Sequence, residues 1–316
     1  MAVLTKLVKR DFEYILATYN VGSYLNHKHI PLALGNTVYF LKTDKGKFIL
    51  KIFEGSSLEF MINQIKLEEF LYRKAPVAEN IRSKTGIVLQ NYKKKYFKLQ
   101  KYVWGRHPKK FSSGLVKDLA VNMAMLHKCL GKLDTKKIQI REGDVFEFMK
   151  MKCAKSSYQG FPLQLEVDKL KKIISKLNIN ALRKEVIHAD ILSDNLLVKN
   201  NKVVAIIDWD DVHRGFISYD IATFLCKELI NNGSVKEEKI KLFLKSYQHY
   251  NKLNNEEKIA IYHFMKFRLL TSANWTLIQM KHHKDIIGSL DIEFEKKIKK
   301  YNHFHNFNLE KFLELF

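Results

Sequence analysis

The residues that could do chemistry together lie in one stretch of the chain, residues 186–208. It contains His188, Asp190 and Asn195, and it ends with Asp208 after an apolar run. A carboxylate such as that of Asp190 can accept the proton of an attacking hydroxyl group. Amide and carboxylate oxygens, as on Asn195 and Asp208, are ligands that Mg²⁺ prefers. The combination predicts a centre for transferring a phosphoryl group from ATP, with Mg²⁺ bridging the phosphates.

The spacing of these residues supports that prediction. His188 to Asn195 fits H-x-D-x-x-x-x-N, the spacing of kinase catalytic loops, and a hairpin turning at 199–202 then leads to Asp208. We expect Asp190 to be the catalytic base and Asn195 and Asp208 to be metal ligands. His188 is expected to brace the loop by hydrogen bonding. The alternative, in which Asp190 and Asn195 are ordinary turn residues, explains each residue separately but not their spacing.

An ATP site also needs a backbone loop over the phosphates and a lysine on a following strand. Gly35, Asn36 and Thr37 precede a strand-like run and are predicted to form that loop, although a lone glycine is usually only a turn. Lys51, in the apolar run 48–53, is predicted to point into the cleft. The alternative is a solvated lysine on an edge strand.

The lysine of such a site is held by an acidic side chain on the next helix. Glu68 is the predicted partner of Lys51, with Glu69 and Glu59 as alternatives. Val103, in the segment that joins the two halves of the chain, is also predicted to contact ATP.

The apolar periodicity divides the chain into two lobes. Residues 1–100 combine helical and strand-like runs, and 109–316 are mostly helical apart from the catalytic stretch. The segment 101–108 contains Gly and Pro, and we place a hinge there. The predicted fold class is therefore α+β and bilobal, with a small antiparallel-sheet N-terminal lobe and a larger, mainly helical C-terminal lobe.

Individual elements of both lobes can also be predicted from this periodicity. Strands are expected in the N-terminal lobe at 38–42, 48–53, 86–90 and 96–100. The first two flank a hairpin turn at 43–46. A helix is expected to follow, capped by Ser56 or Ser57. In the C-terminal lobe we predict helices at 115–130, 144–153, 166–176, 218–231, 235–250, 255–281 and 289–301.

The charge of the chain is strongly positive. Its 55 Lys and Arg residues exceed its 33 Asp and Glu residues, which gives a formal net charge of +22. Such a surface attracts phosphate-bearing molecules. The lysines are spread along the whole length and do not form one stripe or arm, so we expect ATP to be bound and nucleic acid not to be a partner.

The sequence also indicates a compartment. No run approaches the roughly 18 uncharged apolar residues that a membrane span needs, and the start lacks a signal-peptide pattern. The three cysteines are widely separated and form no C-x-x-C pair, which argues against disulfides and a zinc site. We expect a cytoplasmic protein without a membrane partner.

In several of these segments the chain resembles the aminoglycoside phosphotransferase and choline kinase superfamily. The resemblance is carried by His188-Ala189-Asp190 through Asn195, Ile207-Asp208-Trp209, Tyr219-Asp220-Ile221-Ala222 and Met125-Leu126-His127. Within the superfamily, the N-terminal lobe is most similar to bacterial homoserine kinases. The segments that carry this second likeness are MAVLT at the start, YNVG at 19–22, GNTVYF at 35–40 and KFILKIFE at 47–54.

The resemblance implies a protein-kinase-like fold and transfer of the ATP γ-phosphate to an alcohol. It implies that Asp190 is the base, that Asn195 and Asp208 bind Mg²⁺ and that Lys51 contacts the phosphates. Asp220 would be structural and would tie the metal-site loop to the helix behind it.

More than one class of phosphoryl acceptor fits these residues. The likeness implies homoserine, and thus threonine biosynthesis, and either Arg268 or Arg214 could bind its carboxylate. Asp210 and Asp211 would instead suit a cationic acceptor such as choline or an aminoglycoside. A second alternative is a non-catalytic basic protein that binds nucleotide or nucleic acid.

Overall fold

The N-terminal part of the chain forms an antiparallel sheet with two helices. The structure, a computed structural model, describes residues 5–30, 35–143, 149–231, 234–282 and 287–316. In chain order the elements are α1 (Lys9–Ala17), β1 (Tyr24–His29), β2 (Thr37–Thr43), β3 (Lys47–Phe53), α2 (Leu58–Leu71), β4 (Asn80–Ile81), β5 (Gln90–Tyr92) and β6 (Lys95–Lys101). The strands pair antiparallel in the order β1-β2-β3-β6-β4, and β5 pairs with β6.

Two local predictions for this lobe are confirmed. The hairpin between β2 and β3 closes through a hydrogen bond of 2.8 Å from the Thr43 N–H to the Gly46 carbonyl. Of the two cap candidates for α2, Ser57 is the one whose hydroxyl accepts the N–H of Phe60, at 3.2 Å. This bond satisfies a backbone donor that the first helical turn leaves unpaired.

One predicted strand is wrong. Most of residues 86–90 form a loop, and the strand begins only at Gln90. Gly86 has a φ of 80°, a left-handed conformation that interrupts the extended backbone. The strand continues to Tyr92 and then turns through Lys93 and Lys94, both with positive φ, to pair with β6.

The C-terminal part is mainly helical, as predicted, and the fold class is confirmed. Its elements are α3 (Ser113–Leu130), α4 (Leu163–Ile174), β7 (Lys184–Ile187), β8 (Leu196–Lys199), β9 (Lys202–Ile206), β10 (His213–Phe216), α5 (Ile217–Glu228), α6 (Glu237–Tyr250), α7 (Asn255–His282), α8 (Ile287–His305) and α9 (Leu309–Leu313). The strands form two separate antiparallel ladders, β7 with β10 and β8 with β9. Of the helix predicted at 144–153, residues 144–148 lie outside the described residues and 151–153 are not helical.

Two apolar cores correspond to the two parts. The smaller one joins α1 to the face of the sheet, with Phe12 and Leu50 fully buried. The larger one fills the space between the C-terminal helices, and it also includes Leu67 and Leu71 of α2. Helix α2 is therefore anchored in the larger core, although its sequence lies within the N-terminal lobe.

The connection between β6 and α3 rests on the β8–β9 hairpin. Arg106 exchanges two backbone hydrogen bonds with Val198, at 3.0 and 2.9 Å. A side chain at Gly105 would come within 3.0 Å of Leu197 and Val204, so only glycine lets the segment approach so closely. The hinge at 101–108 and the lobe limits 1–100 and 109–316 remain predictions. Among the described residues, no helix is long and apolar enough to cross a membrane.

The carboxylate of Asp11 fastens α1 to the β5–β6 turn. It accepts hydrogen bonds from Lys93 Nζ at 2.7 Å, the Tyr92 hydroxyl at 2.8 Å and the Val8 N–H at 2.9 Å. The hydrogen bond from Lys93 is the main reason why the pKa of Asp11 falls from 3.8 to about 2.

We predict that Asp11→Asn lowers the free energy of unfolding at pH 7 by about 2 kcal/mol, the scale of hydrogen bonds to a charged group. A carboxyl whose pKa is lowered by folding stabilises above its unfolded pKa of 3.8, and this stabilisation is lost as the pH falls toward about 2. Urea unfolding at a series of pH values measures the difference, which should shrink below pH 4. Glu13→Gln, in the exposed Lys9–Glu13 pair of the same helix, is the control and should have little effect.

Candidate active site

The loop after β7 has a backbone that few residues adopt. Ala189, between His188 and Asp190, has a φ of 68°, and Asp208 after β9 has a φ of 61°. Left-handed conformations of this kind cost on the order of 1–3 kcal/mol each for residues other than glycine. They persist only where surrounding contacts hold them, so these contacts define the site.

The carboxylate of Asp220 holds the first of these turns. It is fully buried at the start of α5 and accepts the backbone N–H of His188 at 3.1 Å and of Ala189 at 2.7 Å. Burial alone would raise the pKa of Asp220, but the hydrogen bond and charge of His127 lower it. The structure corrects one detail, since Asp220 bonds to the catalytic loop and not to the metal-site loop around Asp208.

His188 links the catalytic loop to the end of β9. Its imidazole is fully buried, its Nε2 lies 3.1 Å from the Ile207 carbonyl, and its ring packs edge-on against Trp209 with centroids 4.6 Å apart. The backbone N–H of Asp190 points at Nδ1 from 3.4 Å. These contacts fix the loop and leave the imidazole no exposed edge for a substrate.

Asp190 and Asn195 lie side by side, as their spacing predicted. Asn195 Nδ2 donates to both the backbone carbonyl and the Oδ2 of Asp190, each at 2.9 Å. The other carboxylate oxygen, Oδ1, accepts a hydrogen bond of 2.5 Å from Arg268 Nη2 on α7. Both side chains of this ion pair are about one-fifth exposed, so the carboxylate of Asp190 opens onto the cleft.

Asn195 and Asp208 fit the chemistry of a magnesium site. Because Asn195 uses its Nδ2 on Asp190, its Oδ1 lies at the other end of the amide and is available as a ligand. Loss of solvation and the charge of Asp210 raise the pKa of Asp208, and the charge of Lys51 offsets only part of this rise. No group of three or more His, Cys, Asp and Glu side chains is arranged around a metal position in the described parts of the chain. Mg²⁺ in nucleotide sites uses one or two carboxylates and completes its shell with phosphates and water.

Lys51 points into the cleft, where it bridges two aspartates. Its Nζ lies 2.6 Å from Asp210 Oδ1 and 3.3 Å from Asp208 Oδ1. Burial alone would lower the pKa of Lys51, but the negative charges of Asp210 and Asp208 outweigh it and raise the pKa. The side chain is one-tenth exposed, which excludes the alternative of a solvated edge lysine.

The predicted ion pair between Lys51 and Glu68 is not formed. Glu68 binds Lys98 Nζ with both carboxylate oxygens and also accepts a hydrogen bond of 2.9 Å from Asn80 Nδ2. Lys98 lies directly opposite Lys51 in the β3–β6 pairing, so both lysines project from the same face of the sheet. Lys98 and Glu68 are almost completely buried. No sequence pattern indicates this pairing, because it depends on the register of β3 and β6.

Asp210 also differs from its predicted role. It was expected to face a cationic acceptor, but its carboxylate accepts hydrogen bonds from Asn36 Nδ2 at 2.6 Å, Gln64 Nε2 at 2.7 Å and Lys51. Although burial opposes it, the charge of Lys51 lowers the pKa of Asp210 to about 2. Asp210 therefore joins the C-terminal lobe to β3, α2 and the loop before β2.

The remaining residues predicted to contact ATP lie before β2 and after β6, and their role stays a prediction. Asn36 Oδ1 accepts the backbone N–H of Glu54 at 3.1 Å, and the Thr37 hydroxyl bonds to the Glu54 carboxylate. Gly35 has open space beside it. Val103 is half-buried in the segment after β6.

Of the other predicted acceptor contacts, only Arg268 reaches Asp190. Asp211 is exposed and lies 3.7 Å from Arg141, within electrostatic range of Asp190 and Arg268. Arg214 on β10 is engaged by Glu142 at 3.4 Å, so the structure gives no support to its predicted role.

Arg268 lies within electrostatic range of two lysines that no sequence pattern indicated, Lys227 and Lys297, and Lys300 lies beside Lys227. Lys227 Nζ contacts the Ser272 hydroxyl, and burial with the charge of Arg268 lowers its pKa to about 7. Lys297 donates to the Ser272 carbonyl at 3.2 Å, and Lys300 donates to the Lys227 carbonyl at 2.8 Å. We call Arg268, Lys227, Lys297 and Lys300 the basic cluster.

This two-lobed fold, with an H-x-D loop and a lysine facing two aspartates, defines a protein-kinase-like phosphotransferase of small molecules. The chain belongs to the phosphotransferase enzyme family APH, whose model matches residues 28–260. The predicted resemblance is thereby confirmed. Homoserine kinase of Methylobacillus glycogenes is 24% identical over 275 residues, covering 82% of each chain.

Solved structures of the same fold include two kinases of amino alcohols or antibiotics. A microcompartment-associated aminopropanol kinase superposes with a TM-score of 0.75 at 15% identity, covering 97% of this chain and 99% of that one. The amicoumacin kinase hAmiN, in complex with AMP-PNP and Ca²⁺, gives a TM-score of 0.74 at 16% identity, covering 96% and 98%.

The Lys98–Glu68 pair provides a test of this part of the site. We predict that Glu68→Leu lowers the free energy of unfolding by about 3–5 kcal/mol, because it leaves the buried Lys98 ammonium without its partner. The double variant Glu68→Leu/Lys98→Met should recover most of that loss, since neither charge is then buried. Urea unfolding measures both variants. Glu69→Leu, next on the helix and paired with the exposed Arg82, serves as the control. Equal losses in the single and double variants would contradict this account.

Proposed function

We propose that this protein is a kinase that transfers the γ-phosphoryl group of ATP to the hydroxyl group of homoserine. The observation that carries the proposal is the position of Asp190. One of its carboxylate oxygens faces Asn195, on the metal side, and the other faces Arg268, on the side of the basic cluster. A base between a metal ligand and a cation suits an acceptor that has both a hydroxyl group and an anionic group.

Each residue of the site then has a defined task. Asp190 accepts the proton of the attacking hydroxyl, while Asn195 and Asp208 hold Mg²⁺. When bound, Mg²⁺ supplies positive charge that offsets the developing charge on the phosphate oxygens. Lys51 contacts the ATP phosphates, and Asp210 holds Lys51 in place. His188 and Asp220 keep the catalytic loop in its left-handed turn.

The N-terminal lobe, residues 1–100, would cover the nucleotide. Gly35, Asn36 and Thr37 form the loop over the phosphates, and Val103 in the hinge contacts the base. Glu68 serves indirectly, by holding Lys98 beside Lys51.

The acceptor follows from the charges that face Asp190. The carboxylate of Asp210 is bound by Lys51 and Asn36, so its negative charge is not available to a cationic acceptor. Arg268, by contrast, offers a guanidinium cation beside Asp190 to a carboxylate of the acceptor. Asp211 is exposed and near Asp190, and it would suit the ammonium group of an amino acid. Homoserine has both groups, and the relatives named homoserine kinase support the choice. The activity would belong to threonine biosynthesis in the cytoplasm.

Removing the base should abolish transfer without unfolding the protein. We predict that Asp190→Ala lowers kcat by a factor of about 10² to 10⁴, the usual contribution of a positioned base. Coupled measurement of ADP release and detection of phosphohomoserine would both report it. Asp194→Ala removes an exposed carboxylate from the same loop and should retain activity. Full turnover by Asp190→Ala would refute Asp190 as the base, whereas absence of turnover in the wild type would favour a purely binding protein.

The acceptor can be identified by competition among alcohols. We predict that homoserine gives the highest kcat/KM among homoserine, choline, methylthioribose, aminopropanol and an aminoglycoside, because it alone combines a carboxylate with an ammonium group. Direct detection of the phosphorylated products measures the preference. A preference for choline or an aminoglycoside would overturn the homoserine assignment but not the kinase activity.

A further inference from the structure

Both carboxylate oxygens of Asp190 are already occupied. Oδ2 accepts Asn195 Nδ2 at 2.9 Å, and Oδ1 accepts Arg268 Nη2 at 2.5 Å. A base must come within about 2.6–3.2 Å of the hydroxyl oxygen whose proton it takes. Each carboxylate oxygen can accept a second hydrogen bond, but a hydroxyl group that approaches Oδ1 must share it with the Arg268 guanidinium, whose positive charge opposes proton transfer to that oxygen.

The two donors differ in how firmly they are fixed. Asn195 lies five residues along the same loop and also bonds to the Asp190 backbone carbonyl, so it moves with the loop. Arg268 comes from the middle of α7 and reaches Asp190 through its long side chain alone. The bond from Arg268 is therefore the one that can open without disturbing the catalytic loop.

The guanidinium group of Arg268 is only partly used. Its contact with Asp190 is made through Nη2, and its Nε is buried without a hydrogen-bond partner among the described residues. An arginine binds a carboxylate best through two parallel N–H bonds. A carboxylate from a bound acceptor could supply the second set of bonds, because Asp190 contacts the Arg268 guanidinium through one nitrogen only.

An acceptor carboxylate can replace Asp190 as the partner of Arg268, whereas water cannot, and this difference decides what opens the ion pair. Separating a partly buried ion pair leaves both charges without compensation, which is costly. An acceptor carboxylate replaces the lost partner of Arg268, whereas a water molecule brings no charge. The charges of Tyr219, Cys226 and Asp211 also act on Arg268, together with those of Lys227 and Lys297.

We propose that Arg268 is a latch on Asp190, which the anionic group of the acceptor releases. The proposal rests on the proposed role of Asp190 as base. With the latch open, the acceptor hydroxyl gives its proton to Oδ1 and its oxygen bonds to the γ-phosphorus. The bond from that phosphorus to the bridging oxygen breaks, and its electron pair leaves on ADP. With the latch closed, the positive charge of Arg268 at Oδ1 opposes proton transfer from water to Asp190, so ATP hydrolysis is slow until the acceptor arrives.

The first test measures ATP hydrolysis without any acceptor. We expect Arg268→Met to hydrolyse ATP about tenfold faster than the wild type. Loss of one partly exposed ion pair changes an energy by about 1 kcal/mol, which corresponds to roughly this change in rate. Arg268→Gln is a second variant in case the methionine variant does not fold, and thermal unfolding checks both. Lys266→Met, on the same helix and lying over the Tyr262 ring, is the control and should hydrolyse ATP as the wild type does.

The second test uses 2-aminobutyrate, which has the carboxylate and ammonium groups of homoserine but no hydroxyl. We expect it to stimulate ATP hydrolysis by the wild type and to have no such effect on Arg268→Met, where hydrolysis is already fast. A folded Arg268→Met variant that hydrolyses ATP no faster than the wild type would overturn the latch and leave Arg268 as a binding residue.

The latch and the proposed function can fail separately. Absence of phosphohomoserine in the wild type would count against homoserine as acceptor, while faster acceptor-free hydrolysis by Arg268→Met would still support the latch. Conversely, efficient phosphorylation of homoserine with slow hydrolysis in every Arg268 variant would overturn the latch alone.

Discussion

The carboxylate of Asp220 is the contact on which the geometry of the active site depends. It is buried at the start of α5 and holds two successive backbone N–H groups of the catalytic loop, so that Ala189 can stay in a left-handed turn. His127 bonds to the same carboxylate and to the hydroxyl of Tyr247, both without exposure to solvent. His127, Asp220 and Tyr247 thus connect the helices α3, α5 and α6 by hydrogen bonds. Because Asp220 also holds the loop that carries Asp190, this loop is fixed to the large core.

The N-terminal lobe is joined to the C-terminal lobe by an ion pair and hydrogen bonds as well as by apolar packing. Lys51 and Asn36 both bind Asp210, which lies more than 150 positions further along the chain. The second buried lysine, Lys98, forms the ion pair with Glu68. Lys51 instead pairs with the aspartates of the C-terminal lobe. Phosphates of a nucleotide would enter between Lys51 and Asp208, where they could take over part of the charge that these side chains now offer each other.

On the acceptor side, α7 places Arg268 against Asp190 and carries Ser272, around which Lys227 and Lys297 gather. The cleft is therefore asymmetric, with aspartates toward the nucleotide lobe and cations toward the helices. An aminopropanol kinase and an amicoumacin kinase share this fold, so the fold alone does not decide which small molecule is phosphorylated.

The sequence by itself determined the fold class and the catalytic loop, because both follow from local order. Helical and extended periodicities persist over many residues, and the spacing from His188 to Asn195 places both side chains on one short loop. It could not determine which charges pair. Glu68 binds Lys98 because of strand register, and Asp210 turns to Lys51 because the lobes meet there. Such contacts join residues far apart in the chain, so only the tertiary structure decided them.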